Sequence, residues 1–83
     1  MMEDEVYVGK LYRIKKHNVW VRGTGFQFHE GDMILCVSLE RPEDSAALWR
    51  RQMTILHNGT LNNMFFTDFK GLLRHDEMEE LNK

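Results

Sequence analysis

The stretch Leu56-His57-Asn58-Gly59-Thr60-Leu61 constrains the fold more than any other part of the chain. Asn-Gly accepts the positive φ angles of a type I′ turn, whose twist matches that of paired strands. Between two β-prone runs it predicts a two-residue hairpin. With Asn58 and Gly59 central, His57 faces Thr60, Leu56 faces Leu61 and Met53 faces Met64. One face then carries Trp49, Met53 and Ile55 with Met64 and Phe66, the expected core face. The other carries Arg50, Gln52, Thr54 and Leu56 with Leu61, Asn63 and Phe65. Asn58-Gly59-Thr60 also fits the glycosylation triplet, but turn chemistry explains it without a secretory context.

Upstream, turn signals divide the chain into further short extended pieces. Val6–Lys16 is rich in β-branched and aromatic residues, with Val8, Tyr12 and Ile14 on one parity. His17-Asn18 suits a turn, Val19-Trp20-Val21 resumes extended structure, and Gly23-Thr24-Gly25 breaks it. Phe26-Gln27-Phe28 alternates ahead of a break at Glu30-Gly31-Asp32. Met33–Leu39 is apolar except for Ser38 and reads as a central strand buried on both faces. Cys36, in its middle, reads as core filler, because nothing nearby would lower its pKa.

The polar stretch 40–48 predicts a loop with one helical turn led by Pro42, Glu43 and Asp44. After the hairpin, Thr67 or Asp68 can cap a helix whose apolar residues are Phe69, Leu72 and Leu73. Gly71 argues for a frayed helix, or for a turn and a second short helix ending near Leu81. This segment is expected to cover Leu56, Leu61 and Phe65. Packed elsewhere, it would leave them as an apolar patch suited to a partner. The organisation expected is a flexible acidic N-terminus (1–5), one β domain (6–73) and an acidic helical tail (74–83).

Size and composition narrow the classes of function. The chain has 83 residues, 42% of them hydrophobic and 29% charged, which suits one small globular domain with a thin core. One cysteine excludes a disulfide framework. No apolar run approaches a membrane span, and the start Met-Met-Glu-Asp-Glu lacks the pattern of a secretory signal, so a cytoplasmic setting without membrane association is expected. No phosphate loop, metal-spaced histidine pair or supported nucleophile, base and orienter set occurs, so a non-enzymatic protein without cofactor or metal is expected. His29 with Glu30 and Asp32 could hold a cation but reads more simply as polar turn residues.

The strands, the Gly31-Asp32-led apolar segment through Val37, the Asn58-Gly59 hairpin and the helical turn near Phe69–Leu73 together resemble SH3-like barrels. The resemblance, over about residues 6–73, implies a mainly β fold: a small antiparallel barrel of about five strands with a short C-terminal helical segment. The positions of the peptide-binding SH3 motifs read Val6-Tyr7-Val8-Gly9, Trp49-Arg50-Arg51 and Gly71-Leu72-Leu73, which departs from the proline-rich-ligand pattern. Barrels of this size also look like the accessory, host-directed proteins encoded by phages.

Two binding functions follow. The first is a protein-interaction module that occupies or modulates a partner's surface, anchored by Tyr7, Trp20, Phe26, Phe28, Leu61 and Phe65. The second is nucleic-acid binding through Lys10, Arg13, Lys15, Lys16 and Arg22, a basic segment without acids and interleaved with aromatics. The net charge of −2 favours the first, and the acidic run from Asp76 to Glu80 offers counter-charges for the basic segment. Homo-oligomerisation through a sheet edge is compatible with both.

Overall fold

The computed structural model of the chain describes residues 6–16, 19–20, 27–44 and 47–81. Strands β1 (Leu11–Ile14), β4 (Met33–Leu39), β5 (Gln52–His57), β6 (Thr60–Phe65) and β7 (Met78–Glu80) form one antiparallel sheet in the order β6-β5-β4-β1-β7. Strands β2 (Val19–Trp20) and β3 (Gln27–Phe28) form a separate antiparallel pair. One helix, α1 (Phe66–Arg74), lies between β6 and β7 in sequence. The mainly β, five-strand antiparallel expectation with a C-terminal helix is met. Among the described residues the sheet is a linear array, with no ladder from β6 to β7 closing it into a barrel. The turns expected at His17-Asn18 and Gly23-Thr24-Gly25, and the acidic segment 1–5, lie outside the described residues.

The hairpin forms in the expected register: His57 opposes Thr60, Leu56 opposes Leu61 and Met53 opposes Met64. Asn58 and Gly59 take φ values of 50° and 91°, the left-handed pair a type I′ turn requires. Asn58 also ties the turn to β4, its Oδ1 accepting from the Met33 N–H at 2.9 Å.

Pairing across the whole sheet defines an inner face of Tyr12, Ile14, Ile34, Cys36, Met53, Ile55, Met64 and Met78, all buried. Against it α1 places Phe66, Phe69 and Leu72, spaced at three residues so that they share a helical face. Phe69 is fully buried and meets the Tyr12 ring edge-on at 5.0 Å between centroids, with Tyr7 5.6 Å away. Burial pushes the Tyr12 phenol well above its ordinary pKa, and Glu80 opposite it on β7 adds to the effect. Full burial of one such side chain is worth roughly 1.5–3 kcal/mol.

Several expectations are corrected here. Thr67 and Asp68 do not cap the helix; α1 begins at Phe66, directly from β6, with Phe65 at the cap position and no side-chain cap. The Phe66 N–H instead donates to the Arg51 carbonyl at 2.8 Å, so the last ladder-side bond of the hairpin sets the helix start. The acidic helical tail expected over 74–83 is, across its described residues, a reversal followed by β7. Asp76, at φ 59°, ends the helix in a Schellman arrangement: Glu77 N–H donates to the Leu72 carbonyl and Asp76 N–H to that of Leu73. The chain then returns along β1, where Met78 enters the core and the glutamates meet basic residues.

Strand β1 is shorter than Val6–Lys16, because Gly9 (φ 84°) bends the chain while its N–H holds the Cys36 carbonyl at 2.8 Å. Strand β4 is buried on one face only: Ile34 and Cys36 are interior, Met33 and Leu35 are half-buried, and Val37 and Ser38 are exposed beside a register shift. Trp49 is not on the core face. It sits in a single 3-10 turn (Leu48–Arg50) ahead of β5 and is 62% exposed. Most consequentially, α1 covers the inner face and leaves Leu56, Leu61 and Phe65 on the other side.

A candidate protein-binding face

The face away from α1 has an order that no single strand shows. The register places Leu61 opposite Leu56, Leu56 opposite Leu35 and Leu35 opposite Leu11. The Leu81 N–H donates to the Leu11 carbonyl at 2.9 Å, one step beyond the Tyr12–Glu80 pair, and so adds a fifth leucine. One leucine row therefore crosses β6, β5, β4 and β1 and continues to Leu81, just past the end of β7, a span of about 19 Å at ordinary strand spacing. A solvent-facing antiparallel sheet surface normally carries polar residues at such positions.

The surroundings of the row are polar but hold little unbalanced charge. On one side Arg13 of β1 pairs with Glu79 of β7 through Nε and Nη2. On the other, Ser38, Thr54 and Asn63 form an uncharged row, with the Thr54 hydroxyl donating to Asn63 Oδ1 at 3.0 Å. Beyond it Phe65 meets the exposed Trp49 ring at 6.2 Å, and the Arg50 guanidinium lies 5.6 Å from the same indole. The row itself grades from half-buried Leu11, Leu35 and Leu56 to Leu61, which is 64% exposed.

Of the expected protein-binding anchors among the described residues, Leu61 and Phe65 stand on this face. Tyr7 packs edge-on against Phe66 and Phe69, and Phe28 is fully buried with its ring 4.8 Å from that of His57. Phe28 is therefore a core residue and Tyr7 packs, partly buried, against the core: aromatic content alone does not separate an anchor from a filler in so small a domain. Phe26 and the Trp20 side chain lie outside the described residues. Leu11, Leu35, Leu56 and Leu81 were not singled out as one surface by sequence, because their alignment depends on three ladder registers at once. Strand alternation extended back from β5 places Trp49 on the core face, but the residues there form a helical turn.

The basic segment is largely matched by the chain's own acids. Lys10 Nζ lies 3.2 Å from Glu80, Arg13 pairs with Glu79, and Lys15 Nζ lies 2.6 Å from Asp76. The Asp76 hydrogen bond raises the Lys15 pKa, and that lysine in turn lowers Asp76. Lys16 is exposed, and Arg22 lies outside the described residues.

Polar clusters elsewhere have structural work. Asp32 accepts from the His29 N–H, approaches His57 Nε2 and accepts from Asn58 Nδ2, and so fastens the turn before β4 to the hairpin. Cys36 is buried, and desolvation pushes its thiol up to about 11. Among the described residues no group of three or more His, Cys, Asp and Glu is placed to hold a metal. No described helix is long and apolar enough to cross a membrane. A cleft of about 530 Å³ lies between Val8, Leu39, Pro42 and Arg51, and Arg41 at its rim is engaged by Glu43 and Asp44.

No protein-family model, curated protein or solved structure matches the chain.

Proposed function

We propose that this protein is a non-enzymatic interaction module that docks an apolar strip of a partner protein through the outer face of its sheet. The observation that carries this reading is the leucine row Leu81-Leu11-Leu35-Leu56-Leu61, which lies on the face of the sheet away from α1 and is half-buried to exposed. Roughly 1.5–3 kcal/mol attends full burial of each leucine, so the area still open on the row is a substantial drive for association. Trp49 and Phe65 at its margin supply the aromatic contact in which interface energy concentrates. The flanking rows are a neutralised ion pair and uncharged side chains, which suits a protein surface better than a phosphate backbone. A module of this kind modulates its partner by occupying a surface.

Capture of partners from the source cell's lysate, compared between the wild-type chain and Leu61→Asp, tests the reading. Leu61 is exposed, so the substitution should shift stability by no more than about 0.5 kcal/mol while the captured protein is lost. Equal capture by a folded Leu61→Asp together with a Leu35→Ser variant would refute the docking face. Binding to DNA or RNA that falls steeply with salt, with Lys10, Arg13 and Lys15 setting the slope, would replace it by the nucleic-acid reading.

A further inference from the structure

We propose that two copies of this chain pair edge to edge through β6, antiparallel about a two-fold axis, joining their sheets into one. The inference goes beyond the docking face and rests on the backbone groups along the sheet's edge rather than on the leucine side chains. The two edges of the sheet, β6 and β7, are guarded very differently. Strand β7 has three residues, two of them glutamates. Strand β6 runs for six, Thr-Leu-Asn-Asn-Met-Phe, with no charged residue, no proline and no register shift against β5. Short length, charges, prolines and bulges are the means by which exposed edges avoid pairing, and β6 has none of them.

The hairpin determines which backbone groups face outward. His57 and Thr60 flank the two-residue turn and form its closing hydrogen-bonded pair, so even-numbered residues of β6 bond to β5. The Phe66 N–H donating to Arg51 continues that alternation at the far end. The N–H and C=O groups of Leu61 and Asn63, and the N–H of Phe65, consequently point away from the sheet.

Self-pairing satisfies them with matching faces. Outer-face residues of β6 are odd-numbered, so an antiparallel copy must set odd against odd. The register with the fullest overlap places Asn63 opposite its own symmetry mate and Leu61 opposite Phe65. No like charges meet, an amide faces an amide at the axis, and each leucine row runs on into the partner's Phe65. Such self-complementarity is what a two-fold interface demands, and it favours a second copy over an unrelated extended peptide.

Sedimentation velocity across a range of protein concentrations tests the proposal. The wild-type chain should move from 9.9 kDa toward twice that mass as concentration rises. Asn63→Pro removes an N–H that the chain's own sheet does not use and should hold the protein at the single-chain mass with its β-sheet circular dichroism unchanged. Asn63→Lys, which sets two ammonium groups across the axis, should do the same and decides the matter if the proline variant fails to fold. A wild-type chain that stays at the single-chain mass throughout, or a dimer that persists in the folded variants, overturns it.

Discussion

Asp32 and His57 lie 2.8 Å apart, Oδ2 to Nε2, and join the turn ahead of β4 to the last residue of β5. The contact is half enclosed, with the Phe28 ring edge-on to the imidazole. Burial alone would push the Asp32 carboxyl up. The His29 N–H, His57 and Asn58 outweigh it and hold the carboxyl below its ordinary 3.8. A carboxylate with a depressed folded pKa contributes stability that is full above the unfolded value and is lost as pH falls through the folded one. Urea midpoints should therefore drop on acidification below about pH 4. Asp32→Asn should be less stable at neutral pH by about 1–3 kcal/mol and should lose part of that acid sensitivity. Identical acid slopes in the two proteins would contradict the assignment.

Helix α1 closes the core rather than decorating it. Phe69 fills the space between Tyr7 and Tyr12, so Phe69→Ala should cost about 3–5 kcal/mol. For a domain this small that is a large part of the total stability. Deleting everything after Thr67 removes Phe69, Leu72 and Met78 together, and should abolish cooperative thermal unfolding. Leu61→Ala, on the open face, should leave the melting temperature nearly unchanged, which separates the two sides of the sheet in one calorimetric series.

What the sequence made legible follows how far each signal reaches along the chain. Asn58-Gly59 is a local turn preference, and it specified the β5–β6 register without help from distant residues. The break at Gly31 and the helical turn at Pro42–Asp44 are equally local and are present. The strand at Met78–Glu80 was missed because an acidic run after a helix reads as more helix, whereas its partner β1 lies some sixty residues away. The leucine row needed that same long-range pairing: four of the leucines sit in four different strands, Leu81 follows β7, and only the assembled registers align them. Tyr7 and Phe28 read as anchors from sequence because composition cannot tell whether an aromatic points into the core or out of it.

The attachment of β7 to β1 sets two kinds of contribution against each other. The ion pairs Lys10–Glu80 and Arg13–Glu79 are solvent-facing to differing degrees, and pairs of that kind are worth about 0.2–1 kcal/mol. Met78, 2% exposed among core residues, is worth about 2–5 kcal/mol on truncation to alanine. Packing should dominate. Glu79→Gln should barely move the guanidinium midpoint, and added salt should have little effect, while Met78→Ala should lower the midpoint clearly. The reverse ranking would mean that charge rather than packing holds the edge strand.

Cys36 offers a probe of how the central strand opens. Its side chain is fully buried opposite Ile55, and desolvation pushes the thiol up to about 11. At neutral pH almost none of it is thiolate, and the thiolate is the reactive form. Reaction with an aromatic disulfide reagent should therefore be slow in the native protein and become rapid once denaturant unfolds it. Because Cys36 faces the core on the side of the sheet that α1 covers, access requires the helix to lift from the sheet or the domain to unfold. Variants that loosen the fastening at Asp32 should then speed labelling in proportion to their loss of stability, and Leu61→Asp should not. Rapid stoichiometric labelling of the native chain, with its circular dichroism intact, would show that the inner face is open to solvent without unfolding.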